Sequence, residues 1–385
     1  MSEQKRIVIK VGSGLVVSEE ERSPRFAFLH GLMADIAQLR SEGYEVVLTS
    51  SGAAAIGLDM IGMAPEEAGL QDKQAAAACG QPLIINAYKQ IALEFGIDIA
   101  QVLLTSEELE NARRYQNTKN TVERLLKNGI LPIVNENDTV TTKEIRVGDN
   151  DRLAAKVTQM IHAEEFVMLT DIDGLYDRPP HEEGAQFVET VTDVADYLDA
   201  TKGKGLLGSG GMLTKMQAAN MAQNAGATAR IAKGIIEAPV TSLLDGSRRH
   251  TRCTAHGDPQ SAWRVWLTDR IQMAGSVTVT AEAAKGLREG TQGIDRHDLI
   301  ATSGNYQKGD VLHVYDEDGR EIGRGLTNFS SNETMLLARC RQDEVSDVLG
   351  YSSHSDIIAQ RDFALLGDHN LSWDQPDETA LALTG

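Results

Sequence analysis

Cysteine is scarce in this 385-residue chain and falls in no pattern: Cys79, Cys253 and Cys340 are far apart and odd in number. That excludes a disulfide framework and a paired-cysteine metal site, and it fits a reducing, cytoplasmic setting. Long apolar runs are missing as well. No stretch approaches the roughly 18 apolar residues of a membrane span. The opening MSEQKRIVIKVGSG is a short polar lead into a strand, without a signal-peptide core. Positive charge is not in excess either: 37 Lys and Arg stand against 56 Asp and Glu, a net −19. This argues against non-specific nucleic-acid binding by the whole chain, though not against a local basic site. Generic nucleotide signatures also fail. There is no G-x-x-x-x-G-K-[ST]; GKGLLG at 203–208 fits G-x-G-x-x-G but follows a polar stretch; VGSGLV at 11–16 follows a strand but lacks the third Gly.

What is present is an ordinary globular composition, 41% hydrophobic and 24% charged, in a length that suits two domains. Up to about residue 245 strand and helix patterns alternate. RIVIKVG, YEVVLTSSG, IDIAQVLLT, ILPIVNEND, EFVMLTDIDG and ARIAKG read as strands apolar on both faces, as in a parallel sheet covered on both sides. Ser23-Pro24 is expected to open the first long helix, with Ser as N-cap and Pro in the first turn. Residues 245–275 are polar, with a local basic cluster, and read as a linker. Beyond them come short alternating strands, with Asp318-Gly319 marking a hairpin. The expected architecture is a three-layer α/β/α domain over 1–258 with a mainly parallel sheet, a small β-rich domain over 275–355, and a C-terminal tail over 356–385 whose last 20 residues are polar and loose.

Polar residues gather where strands of the first domain end, the edge at which open α/β sheets bind ligands. Lys10 precedes the Gly12–Gly14 turn, where glycine lets backbone N–H groups approach an anion; a lysine snorkelling from a strand end is the alternative. GLLGSGGMLTK at 205–215 leads into a helix expected from Met212 to Gly226. The N–H groups at that helix start can hold phosphate oxygens, with Lys215 on the first turn; a flexible surface loop is the alternative. Thr170 and Asp171 in LTDIDGLY can meet a nucleotide or form a simple Asx turn. VNENDTV at 134–140 can bind an amino or amide group or merely turn. In GDNDRL at 148–153, the carboxylates also suit a helix N-terminus.

Taken in order, the Lys-x-Gly strand, TSSGA, NENDTV, VGDND, LTDIDGLY and GSGGMLTK resemble the amino-acid kinase family over about residues 5 to 240. Within it, the branch acting on glutamate is the nearest likeness. TSGNYQKGDVLHVYDEDGREIGRGLTNFSS resembles a PUA domain, which many bacterial members of that branch carry. The resemblance implies transfer of the γ-phosphoryl group of ATP, with Mg²⁺, to the γ-carboxylate of L-glutamate, opening proline biosynthesis. It assigns Lys10 and Lys215 to catalysis. Ser51, Asp138 and Asn150 would bind glutamate, and Lys10, Thr170, Asp171, Ser209, Gly210, Gly211, Met212, Leu213, Thr214 and Lys215 the nucleotide. Asp149 and Asp151 would then organise cations and lysines. It further implies a homo-oligomer, dimer or tetramer, with proline as a possible feedback inhibitor. Two departures are visible: two serines precede Gly52 where the family usually has one, leaving Ser50 open beside Ser51, and Ser209 replaces the usual Thr. Kinases of acetylglutamate, aspartate or UMP are the alternatives inside the family; RNA binding through the PUA region is the alternative outside it.

Overall fold

The computed structural model describes residues 5–18, 20, 22–105, 108–109, 112–141, 149–178, 180, 182–201, 210–235, 237–259, 273–338, 345, 356–366 and 381–382. The chain divides into two compact units, residues 1–109 with 119–259, and 110–118 with 260–385.

The first unit is built on an eight-stranded sheet. In chain order its strands and main helices are β1 (Arg6–Val11), α1 (Phe26–Ser41), β2 (Glu45–Thr49), α2 (Ala53–Met60), α3 (Leu70–Glu94), β3 (Ile99–Leu104), α4 (Ala112–Lys127, which belongs to this unit from Lys119 on), β4 (Leu131–Glu136), α5 (Asp149–Met160), β5 (Glu165–Thr170), β6 (Thr190–Val191), α6 (Val194–Thr201), α7 (Gly210–Asn224), β7 (Thr228–Lys233) and β8 (Thr251–Cys253). Across the sheet the order is β6-β8-β7-β5-β1-β2-β4-β3. The six strands from β7 to β3 run parallel; β8 pairs antiparallel to β7 and parallel to β6. β1 is central, and Ile7, Val8, Ile9 and Val11 are fully buried. One apolar cluster joins β1, β2 and α1 to α3 through Leu29, Leu32, Ile36, Ile84 and Tyr88. Helices therefore cover the sheet as the two-faced apolar strands require.

Two local expectations are overturned. Ser23-Pro24 does not open a helix: it pairs in extended form with Val17–Ser18, and α1 begins at Phe26. The cause lies in Arg25. Its amide donates to Val16 O at 2.8 Å, and its side chain donates to Gly14 O and Val17 O at 3.0 and 3.1 Å. These bonds hold the residues just before it alongside the loop that follows β1. The stretch from 245, expected to be a linker, supplies β8. Thr251 and Cys253 are fully buried while Arg252 is exposed, a period-2 pattern too short to stand out within its polar surroundings. The glycine-rich helix begins at Gly210 and ends at Asn224.

The second unit carries a six-stranded sheet of β9 (Gly275–Val279), β10 (Leu299–Gly304), β11 (Val311–Tyr315), β12 (Glu321–Leu326), β13 (Phe363–Leu365) and β14 (Leu381–Ala382). Their order is β13-β12-β11-β9-β10-β14. β11 and β12 form the expected hairpin, with Gly319 at φ 76° in its turn. The expected tail is not all outside this sheet. β13 pairs with β12, and Ile357, Ile358 and Phe363 lie in the core with Val277, Leu312 and Val314. Residues 339–344 and 346–355 of the expected β domain, and most of 367–385, lie outside the described residues.

Candidate active site

Four neighbouring strands bring their carboxyl ends to one edge. Across it lie Thr170-Asp171 after β5, Lys10 to Gly14 around the end of β1, Ser50 to Gly52 after β2, and Asn135 to Asp138 around the end of β4. Direct bonds tie the ends together. Gly12 N donates to Leu169 O at 3.1 Å, Ser51 Oγ to Val11 O at 2.7 Å, and Ser50 N to Val134 O at 2.9 Å. Gly52 sits at φ 101°, and a Cβ there would lie 2.8 Å from Val17 Cγ2. The turn therefore needs glycine, and it hands the chain directly into α2.

The centre of the arrangement is Asp151, in the first turn of α5 and only 1% exposed. One of its oxygens lies 2.6 Å from Lys10 Nζ and the other 3.0 Å from Lys215 Nζ. Thr214 Oγ1 reaches the second oxygen at 3.3 Å. Both lysines are themselves largely buried, with side chains 7% and 12% exposed. The Lys10 approach is an ion pair by distance but is poorly aligned as a hydrogen bond. An ammonium has three N–H donors, so both lysines keep donors to offer a ligand. Burial lowers the pKa of Lys10; Asp151 opposes this, Lys215 reinforces it, and the net shift is downward. Burial pushes Asp151 up, but the two ammonium groups outweigh it and hold the carboxylate below its ordinary range.

The remaining predicted residues fall around this centre. Thr170 is buried and its hydroxyl donates to Asp171 Oδ1 at 2.9 Å, while Asp171 is exposed. Gly210, Gly211, Met212, Leu213 and Thr214 form the first turns of α7, where Thr214 Oγ1 also donates to Gly211 O at 2.9 Å. Leu213 is exposed. A Cβ on Gly14 or Gly211 would meet nothing within 4 Å among the described residues, so the protein's own packing does not demand glycine there. Asn150 is half-buried, and its Oδ1 has no hydrogen-bond partner among the described residues. Asp138 opens a short 3₁₀ turn, Asp138–Val140, and borders a pocket of about 340 Å³ beneath α3 with Gln81, Gln101 and Glu136. Ser209 and the side chain of Asp149 lie outside the described residues.

Sequence reading missed one participant. Tyr88 is fully buried, and its hydroxyl lies 3.2 Å from Ser50 Oγ. Within the Ala-rich helix its only visible signal is a place on the apolar face, which suits any core aromatic.

Residues 5–233 match the model of the amino acid kinase family. The chain belongs to the amino acid kinase family. Residues 275–349 match the PUA domain. The glutamate 5-kinase of Ruegeria sp. strain TM1040 is 38% identical over 371 residues, 95% of this chain and 99% of its own length. That of Rhodospirillum rubrum is 39% identical over 361 residues, 93% and 96% of the two chains. Among solved structures, the carbamate kinase of Giardia lamblia bound to AMP-PNP superposes with TM-score 0.51 at 18% identity, covering 66% of this chain and 100% of its own, a likeness of fold alone. The family's three-layer α/β architecture, followed by the β-rich PUA region, is the fold described above. No helix among the described residues is long and apolar enough to cross a membrane.

Proposed function

We propose that this protein transfers the γ-phosphoryl group of ATP to the γ-carboxylate of L-glutamate, giving L-glutamyl 5-phosphate, the activity named in its full-length relatives. One observation carries the mechanistic part: a single buried carboxylate, Asp151, gathers two ammonium groups from residues 10 and 215 at the ligand-binding edge of the sheet.

The chemistry needs that arrangement. The acceptor carboxyl has an unperturbed pKa of about 4.3 and is already ionised at neutral pH, so the reaction requires no general base. Its difficulty is bringing one anion to another while negative charge spreads over the transferring phosphoryl oxygens. Lys10 and Lys215 supply fixed positive charge against the polyphosphate, and Asp151 holds both ammoniums in place before the nucleotide arrives. The first N–H groups of α7 and the open space at Gly14 and Gly211 let phosphate oxygens approach the backbone. Thr170 and Asp171 complete the nucleotide side, with Ser209 just before α7. On the acceptor side, Ser51, Asp138 and the amide of Asn150 bind glutamate; the Asp138 carboxylate pairs with the α-ammonium.

Among the described residues no three Asp, Glu, His or Cys side chains converge as a metal cage, and both Asp151 oxygens face lysines. The site thus fits Mg²⁺ carried on the phosphates and not held by a protein cage. When bound there, Mg²⁺ neutralises part of the phosphate charge.

The test is hydroxylamine trapping of the acyl phosphate. Glutamate, ATP and Mg²⁺ together give hydroxamate, while acetylglutamate or aspartate in place of glutamate does not. Absence of hydroxamate from glutamate under every condition overturns the reading.

A further inference from the structure

Three polar side chains on α3 lie seven residues apart, at 74, 81 and 88. An α-helix drifts only about 20° per seven residues, so the three form one stripe. Each reaches the carboxyl end of β4 or the loop that follows β2 or β4. Gln74 Nε2 donates to Thr141 O at 2.9 Å, just beyond the Asp138–Val140 turn. Gln81 Oε1 accepts from Asn135 Nδ2 at 2.7 Å, just before it. The Tyr88 hydroxyl bonds Ser50 Oγ at 3.2 Å. The helix is also locked to its neighbour. A Cβ on Gly80 would lie 1.9 Å from Ala53 O, and one on Gly57 1.7 Å from Ala76 O, so the backbones of α2 and α3 touch. Since α2 begins directly after Gly52, the serine turn is joined through α2 to α3.

We propose that α3 is the positioning element of the acceptor site: through Gln74, Gln81 and Tyr88 it sets the separation between the serine turn and the Asn135–Asp138 segment at the end of β4, and so selects the length of the amino-acid substrate. Tyr88 acts through Ser50 and Gln74 through Thr141, while Gln81 bonds Asn135 and also borders the pocket beside Asp138. This rests on the glutamate-site reading above. It adds that the clasp is adjusted from behind by a helix, independently of the nucleotide side built by β1, α5 and α7.

Tyr88→Phe removes one oxygen and leaves the ring packing. The KM for glutamate rises about five- to tenfold, as expected for loss of one net hydrogen bond at the site. The kcat and the KM for ATP stay within about twofold on the same grounds. Gln81→Leu acts on the other loop and gives the same split, and it decides the matter alone if Tyr88→Phe does not accumulate folded protein. An unchanged KM for glutamate with a lowered Tm in the folded variants makes the stripe merely structural and overturns the proposal. So does an equal rise in both KM values. A wild-type protein forming no hydroxamate sinks the glutamate reading instead, a different result from an active wild type with insensitive variants.

Discussion

Replacing Asp151 by Asn is the sharpest perturbation of the site, because it deletes one charge and almost no volume. Two ammonium groups, with side chains 7% and 12% exposed, lose the carboxylate they share. Removing one partner from a buried ion pair costs about 3–5 kcal/mol, since the remaining charge stays desolvated. In a domain of this size one kcal/mol moves Tm by roughly 2–4 °C, so the first unit should melt about 6–20 °C lower. Turnover should fall further. Each preorganised donor is worth about 10²–10³-fold, and Asp151 orients two, so kcat should drop at least about a hundredfold. A polyphosphate can replace the missing anion, so ATP should raise the Tm of Asp151→Asn by more than it raises that of the wild type. Purified variant and wild type are compared by hydroxamate formation and by thermal melting with and without ATP. A variant with kcat within about threefold of wild type and an unchanged Tm would show that neither lysine depends on Asp151.

Two further outcomes follow from the same geometry. Lys10 is held below its ordinary pKa of 10.5, by burial first and then by Lys215, against the pull of Asp151. Its ammonium is thus lost at a lower pH than usual, and the alkaline limb of kcat/KM for ATP falls below the ordinary lysine value. Stability moves the other way: with the folded pKa below the unfolded one, the unfolded chain binds more protons between the two, and this group's contribution improves as pH rises through that window. A limb at or above 10.5 contradicts the placement of Lys10. The second concerns glycine. Gly80→Ala places a Cβ 1.9 Å from Ala53 O and forces α2 and α3 apart, at a cost of about 1–3 kcal/mol or more. Gly14→Ala meets nothing within 4 Å among the described residues and leaves Tm unchanged while weakening ATP; the opposite pattern in melting curves and KM values refutes both assignments.

Most of the first unit's sheet was legible because its parallel strands are buried on both faces, and runs such as RIVIKV and EFVMLT carry that signature without help from context. Strands that join the sheet through only two or three residues were not. β6 and β8 have too few positions for a period to emerge, and tertiary pairing decides them. Ser23-Pro24 carried a sound local helix signal, but Arg25, bonded back to Gly14 and Val17, overrode it. The site divides in the same way. Lys10 and Lys215 could be singled out, since each sits at a strand end or helix start with the right chemistry; Asp151 stood out only together with Asp149. Tyr88 could not, because a buried tyrosine on a helix face announces its hydroxyl partner only once the chain is folded.

The sheet topology explains why such distant residues converge. β1 lies between β2 and β5, so the residues after β5, proposed for the nucleotide, and those after β2 and β4, proposed for the acceptor, flank Lys10 from opposite directions. α5 enters from the β4 side and contacts β1, and its first turn carries Asp151 over the end of that strand. α7, which packs on α5, brings Lys215 to the other oxygen of the same carboxylate. One side chain thereby joins the two halves of the site. Under the proposed function, α3 backs the acceptor half, α7 belongs to the nucleotide half, and the two ammonium groups on Asp151 lie where they meet. Under the proposed function, two lysines on one buried carboxylate place positive charge between the two ligands, where phosphoryl transfer needs it.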